Sequence, residues 1–187
     1  IYIKAMRSRE IVMDKFGYIT KTMARDFKTF DVERAFAYNS SFDEKVFNFN
    51  CDWFKCINPF DTIPISDIRG FVHHFLMDEN FFKWAEKHEA FTESGNYSTT
   101  AETITQYIRN NPDFSEDHTA LSDTLIETEI LFYCLKKGAD INGDYTARRS
   151  IPRKVKKVFT IDTKQGKFTV EGERATYYKA KNTFKIR

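Results

Sequence analysis

Glu33-Arg34-Ala35-Phe36-Ala37-Tyr38 runs directly into Asn39-Ser40-Ser41-Phe42-Asp43, and this junction decides the fold. Large residues alternate with alanines in the first six positions, the pattern of a short strand running into a buried edge. Phe42, Val46 and Phe49 then recur at helical spacing, so a short helix leaves the strand. In open α/β sheets, ligands and catalytic groups collect where a strand gives way to a helix. Asp43 falls at that place. Taken alone, Asn39 and Asp43 need be no more than an Asx turn and a helix cap.

The chain around this junction is mostly helical. Ile19, Met23, Phe27 and Phe30 predict a helix over about 19–30. Asn58-Pro59 and Ile63-Pro64 punctuate a loop. Ile68, Phe71, Val72, Phe75 and Leu76 follow the i, i+3, i+4, i+7, i+8 template, with Ser66 or Asp67 as cap. A further helix after Asn80 buries Phe81, Phe82 and Ala85. Thr99-Thr100-Ala101-Glu102 fits a capping box for a helix that buries Ile104 and Ile108, and Asn111-Pro112 ends it. The longest helix carries Leu121, Leu125, Thr128, Phe132 and Leu135 on one stripe and stops at Gly138. Beyond Pro152 the texture turns to strands. Val155–Ile161 and Lys167–Val170 flank Lys164-Gln165-Gly166 as a hairpin, and a last strand lies near Tyr177–Ile186.

Charge divides the chain in the same way. The net charge of +2 over 187 residues conceals an acidic body and a basic end. Residues 1–144 hold 16 Lys and Arg against 24 Asp and Glu, and residues 145–187 hold 13 against 3. We therefore expect an α/β domain over 1–144 and a basic antiparallel β appendage over 145–187. Basic segments attract phosphate backbones through counterion release, which makes nucleic acid the first partner to consider. A solvated charged hairpin without a partner is the plain alternative.

Several classes are excluded. A hydrophobic fraction of 41% with 16% aromatics supports a packed core and argues against general disorder. No run approaches eighteen apolar residues, so no membrane helix is expected. Cys51, Cys56 and Cys134 form neither a C-x-x-C pair nor an even disulfide set, and point to a reducing compartment, most simply the cytoplasm. Phosphate-binding and dinucleotide glycine motifs are missing, as is a hydrolase nucleophile elbow. His73, His74 and His88 fall on helices without metal-ligand spacing.

A second cluster, His118-Thr119-Ala120-Leu121-Ser122-Asp123, opens the longest helix. On an ideal helix His118 and Asp123 lie about 140° apart. They share one site only if His118 belongs to the preceding loop, which Pro112, Ser115 and Glu116 make plausible. A lone histidine at a helix start is ordinarily a simple cap.

Together, N-x-x-F-D after a strand and H-x-x-x-x-D at a later helix start resemble the DEDDh 3′–5′ exonucleases of the ribonuclease H-like fold, among them proofreading subunits of bacterial replicative polymerases. Asn39–Asp43 matches that family's second motif and His118–Asp123 its third; the likeness covers Tyr38 to Leu131. It implies a ribonuclease H-like domain with a two-metal site for Mg²⁺ or Mn²⁺. Asp43 and Asp123 would be metal ligands, His118 the general base, and Asn39 and Phe42 contacts to the substrate, single-stranded DNA or RNA.

One motif departs. The family's first motif, D-x-E on the first strand, supplies two more metal-binding carboxylates. The only upstream candidate, Asp31-Val32-Glu33, ends six residues before Asn39, too close for a separate strand, and reads as surface charge. The first motif and the first three strands are thus expected before Ile1 or lost from the protein, and this stretch alone is expected to be nearly inactive. An exonuclease-like module that binds nucleic acid without cutting it is the rival reading, and a purely structural domain the third.

Overall fold

The computed structural model describes residues 14–148, 150–153, 157–163, 166–172, 175–178 and 183–186. Their contacts divide the chain into two units, residues 1–90 with 98–149, and residues 91–97 with 150–187. The protein is mixed α/β, mostly helical, with a small parallel sheet.

In the first unit, helix α1 (Phe16–Thr29) leads to strand β1 (Ala35–Ala37) and helix α2 (Ser40–Phe54). Strand β2 (Ile65–Asp67) precedes α3 (Ile68–Phe75), α4 (Glu79–Lys87), α5 (Ala101–Arg109) and α6 (Ala120–Lys136). β1 and β2 are parallel, with Ala35 opposite Ile65, Phe36 opposite Ser66 and Ala37 opposite Asp67. Asp14-Lys15 and Asp31 flank α1, and Asp31 is exposed with φ of 50°, as befits a surface charge.

The helix starts follow local chemistry. Asp67 caps α3 by accepting the Arg69 N–H at 2.9 Å, and Asp78 caps α4 by accepting from Asn80 and Phe81, both at 2.9 Å. Thr100 caps α5 through the Thr103 N–H at 3.1 Å. Glu102 does not close the expected capping box. Its carboxylate accepts the N–H of Glu116 at 3.0 Å and so ties α5 to the loop before α6.

The core gathers where α3, α4, α5 and α6 meet. Phe71 and Val72 of α3, Phe81 and Ala85 of α4, Ile104 of α5 and Ile130 and Cys134 of α6 are fully buried. Phe82 and Ile108, expected inside, are only half-buried. Each large side chain so buried contributes about 1.5–3 kcal/mol. α1 and α2 meet through a looser set of rings, with Phe47 lying 5.5 Å from Phe16 and 5.1 Å from Phe60.

The stripe read on α6 is not its buried face. Leu121, Leu125 and Phe132 are 72%, 62% and 59% exposed, whereas Ile126, Ile130, Leu131 and Cys134 are buried. α6 is apolar on more than one side, and α3 and α5 cover the other one. On α2, likewise, Phe42, Val46, Phe49 and Trp53 are exposed. Their 4-3-4 spacing places them on one bare stripe.

In the second unit, Phe91 bridges Tyr97, Asn96 bridges Pro152, and the Tyr97 N–H donates to the Ile151 carbonyl at 3.0 Å. The Arg153 guanidinium lies 4.2 Å from the centre of the Phe91 ring. β3 (Lys157–Thr163) pairs antiparallel with β4 (Gly166–Gly172), and β5 (Ala175–Tyr178) with β6 (Thr183–Ile186). Of the basic cluster around Pro152, Arg149, Lys154 and Lys156 lie outside the described residues, as do Val155 and the Lys164-Gln165 turn. The side chains of Tyr177 and Tyr178 are likewise outside them. Arg148 and Tyr145, assigned by charge to the basic end, pack within the first unit. Tyr145 sets its ring 4.7 Å from that of Phe71 and 5.0 Å from that of Phe75.

Candidate functional site

Tyr38, just past β1, ties the chain to α6 and to the residue before the α5 cap. Tyr38 donates its N–H to Glu127 Oε2 of α6 at 3.1 Å, and its hydroxyl donates to the Thr99 carbonyl at 2.7 Å. Burial pushes that hydroxyl well above the ordinary phenol range. Asn39 follows in the left-handed region, φ 62°, a conformation asparagine tolerates better than most residues. It turns the chain from β1 into α2, and its N–H donates to Asp67 Oδ1 at 2.9 Å. Its side chain makes no cap bond. Phe42, 63% exposed, and the exposed Asp43 then stand on the first turn of α2.

His118 precedes α6, with φ of 51°. Thr119, not His118, caps the helix by accepting the Ser122 N–H at 3.3 Å. His118 is thereby free of the helix and Asp123 lies in its first turn, the arrangement needed for the two to meet. They do meet, with a third residue. One ligand atom each of Glu116, His118 and Asp123 lies within 4.8 Å of the others. The His118 side chain is 77% exposed and that of Glu116 14%, and His118 Nδ1 lies 3.7 Å from Glu116 Oε2, beyond hydrogen-bond length.

Two oxygens of this group have nothing to bond. Glu116 Oε1 and Asp123 Oδ1 are buried and lack a hydrogen-bond partner among the described residues. An orphaned carboxylate oxygen is costly to bury, and a cation between the two would satisfy both. Ligand atoms around a Mg²⁺ held at ~2.1 Å sit about 3–4 Å apart, which the spacing here allows with small movement. The donor set therefore fits a hard divalent ion.

Asp43 belongs to the same electrostatic neighbourhood through Glu127. The Glu127 carboxyl is raised above its usual range by burial, which the Tyr38 N–H opposes, and then by the charges of Asp43, Asp123 and Glu116. Glu116 is raised by burial and then by Glu102 and Asp123, with His118 acting against them. Asp43 is raised by partial shielding of its carboxyl, ahead of Asp67 and Glu44. Since Asp43 is exposed, water screens that shift and little energy attaches to it. Crowded carboxylates resist carrying their full charge together, and a bound cation reverses that resistance.

The structure thus places His118 beside Asp123 and Glu116; Asp43 is not a member of that group, and its charge bears on it only through Glu127. Sequence reading missed Glu116 and Glu127. Glu127 stands one helical turn after Asp123, at i+4 on the same face, a signal that was present. Glu116 lies two residues before His118 in an irregular loop, where spacing carries no geometric information. Compared with models of protein families, with curated proteins and with solved structures, the chain matches none. No helix among the described residues is long and apolar enough to cross a membrane.

Proposed function

We propose that the chain carries part of a metal-dependent 3′–5′ exonuclease acting on single-stranded ends of DNA or RNA. The observation that carries this reading is the convergence of Glu116, His118 and Asp123, with two orphaned carboxylate oxygens, at the start of a helix whose Glu127 accepts the Tyr38 N–H just before Asn39. Asp43 and Asp123 hold the ions, with Glu116 and Glu127 as further carboxylates of this chain. Mg²⁺ or Mn²⁺ in such a site polarises the phosphoryl oxygen and lowers the pKa of bound water.

The protein's own part is positional and protic. Glu116 lies on the Nδ1 side of His118 and favours a proton there, leaving Nε2 as the acceptor for the proton of the attacking water. High exposure lets that ring reach a strand end arriving from solvent. Phe42, exposed beside Asp43, offers a face for the terminal base. The basic segment from residue 145 onward supplies phosphate contacts. The ribonuclease H-like architecture belongs to the same proposal: β1, α2 and β2 form one parallel strand–helix–strand unit of its sheet.

The test pairs Mn²⁺ titration of the chain with degradation of a 3′-labelled oligonucleotide by a form of the protein that also carries the D-x-E strand. Asp123→Ala and Asp43→Ala should each weaken Mn²⁺ binding and abolish release of mononucleotides. His118→Ala should leave Mn²⁺ bound and slow hydrolysis by roughly 10²–10⁴-fold. Mn²⁺ binding unchanged in both aspartate variants would overturn the reading.

A further inference from the structure

A cavity of about 580 Å³ lies beside β1 and β2, apart from the carboxylate cluster, bordered by Arg34, Ser40, Ser66 and the loop 142–147. Its volume falls within the range of small-ligand sites. Three features of its lining ask for the same thing.

Arg34 is half-buried, and its Nη1 donates to the neutral Ser66 hydroxyl at 2.6 Å. Among the described residues no carboxylate comes within 4.0 Å of it as an ion partner. A guanidinium has five N–H donors in a planar fork, so most of this one remains unspent. Ser40 is only 6% exposed, lines the cavity, and its hydroxyl has no hydrogen bond among the described residues. Ser40 also begins α2, a helix of 15 residues whose N-cap Asn39 gives no side-chain cap bond. Of its first N–H groups, that of Phe42 donates to the Asn39 carbonyl at 3.0 Å, and those of Ser40 and Ser41 have no acceptor among the described residues. The two carboxylates of the lining do not fill this need. Asp67 Oδ1 is already taken by the Asn39 and Arg69 amides, and Asp144 is exposed to water.

The opposite wall is held firmly. Tyr145 accepts the Asp140 N–H at 3.1 Å, and its carbonyl lies so close to Gly70 that a Cβ there would stand 2.0 Å from it. The cavity is pre-formed and does not depend on ordering a loose loop.

Two free N–H groups at a helix start, a guanidinium with no ion partner among the described residues and a serine hydroxyl with no hydrogen bond among them are the components of an anion site, and together they suit a tetrahedral phosphate. We propose that this cavity binds a phosphate group, as the free anion or as the monoester of a nucleotide. Arg34 forks onto two phosphate oxygens, and Ser40 donates to a third. The inference does not rest on the exonuclease reading, since it uses none of the carboxylate cluster.

The test is calorimetric titration of the full 187-residue chain in EDTA with inorganic phosphate, a nucleoside 5′-monophosphate and an eight-nucleotide single strand. Phosphate and the monophosphate should both bind saturably, and a tighter monophosphate would mark the nucleotide as the source. Arg34→Gln should weaken both by about tenfold or more, and Ser40→Ala by several-fold. Ser66→Ala breaks the same internal hydrogen bond as Arg34→Gln but keeps the cation, so it should bind as well as wild type and controls for folding. Asp123→Ala should have no effect, which separates this site from the proposed metal centre. No saturable binding of phosphate or monophosphate, or wild-type binding in a folded Arg34→Gln, would overturn the proposal. Binding of the oligonucleotide alone would also overturn it.

Discussion

α3 and α2 both follow a strand of the same small sheet, yet they end in opposite conditions. α3 sinks Ile68, Phe71 and Val72 beneath α6 and the Tyr145 loop. α2 buries Ser40 and Cys51 and leaves Phe42, Val46, Phe49 and Trp53 in the open. Their sequences do not differ in apolar content enough to account for this. The difference lies in what stands opposite. α3 has neighbours on several sides, whereas the outer face of α2 meets nothing among the described residues. Hydrophobic periodicity reports which side of a helix wants cover, and only tertiary structure reports whether it is covered.

The sharpest way to break this comparison is to cut one side chain from each condition. Phe71→Ala should destabilise the chain by about 3–5 kcal/mol, because the ring is fully enclosed and its removal leaves a cavity. Leu125→Ala, on the bare stripe of α6, should stay within about 0.5 kcal/mol. Urea denaturation of both variants measures this. Equal losses would show that the stripe is covered in solution.

A second measurement sharpens the buried side by pH. His73 of α3 is 5% exposed, accepts the Arg148 N–H at Nδ1, and has an Nε2 with no hydrogen-bond partner among the described residues. Burial first, then Arg69, Arg148 and His74, lower its pKa to about 4 from 6.5. The folded state thus takes up its proton later than the unfolded chain. Its contribution is whole above pH 6.5 and is lost as pH falls from there to about 4, by up to ~3 kcal/mol. His73→Ala should flatten the stability profile across that interval; an unchanged slope would place the acid sensitivity elsewhere.

Smaller effects follow at the helix starts and on the surface. Asp78→Ala removes an acceptor that serves two amides of α4 and should cost about 1 kcal/mol, read as a lowered urea midpoint. Glu129→Ala breaks the ion pair with Arg109. Both partners are more than a third exposed, so the loss should stay below about 1 kcal/mol and shrink with added salt.

Much of this was legible in the chain. The β1–α2 junction could be read because alternation, Asn39 and the start of helical spacing fall within a dozen residues. The α3 cap was legible as Ser66 or Asp67, and the α5 start was legible to within a residue, since the capping box read over Thr99–Glu102 gives way to Thr100 alone. The covered face of α6 was not, since Leu121, Leu125 and Phe132 form one apolar stripe and Ile126, Ile130 and Cys134 another. Arithmetic on one helix cannot choose between them. In the candidate site, His118 and Asp123 share one loop and one helix turn, so their meeting could be foreseen. Glu127 could have been read from its place one turn after Asp123, but its hydrogen bond to Tyr38, 89 positions earlier in the chain, is announced by no local pattern.

The chain's two tryptophans fall on either side of the divide between bare and covered helices. Trp53 stands 70% exposed next to Phe49 on α2, while Trp84 on α4 is wedged among Phe81, His88 and Tyr107. The molecule therefore carries its own pair of optical probes. Emission from Trp53 follows the solvent over the bare stripe and shifts to the blue when anything settles there. Emission from Trp84 follows the packing around α4 and α5 and changes when that region opens. A ligand that alters the first signal and spares the second has found a surface, and a denaturant that alters the second has reached the core.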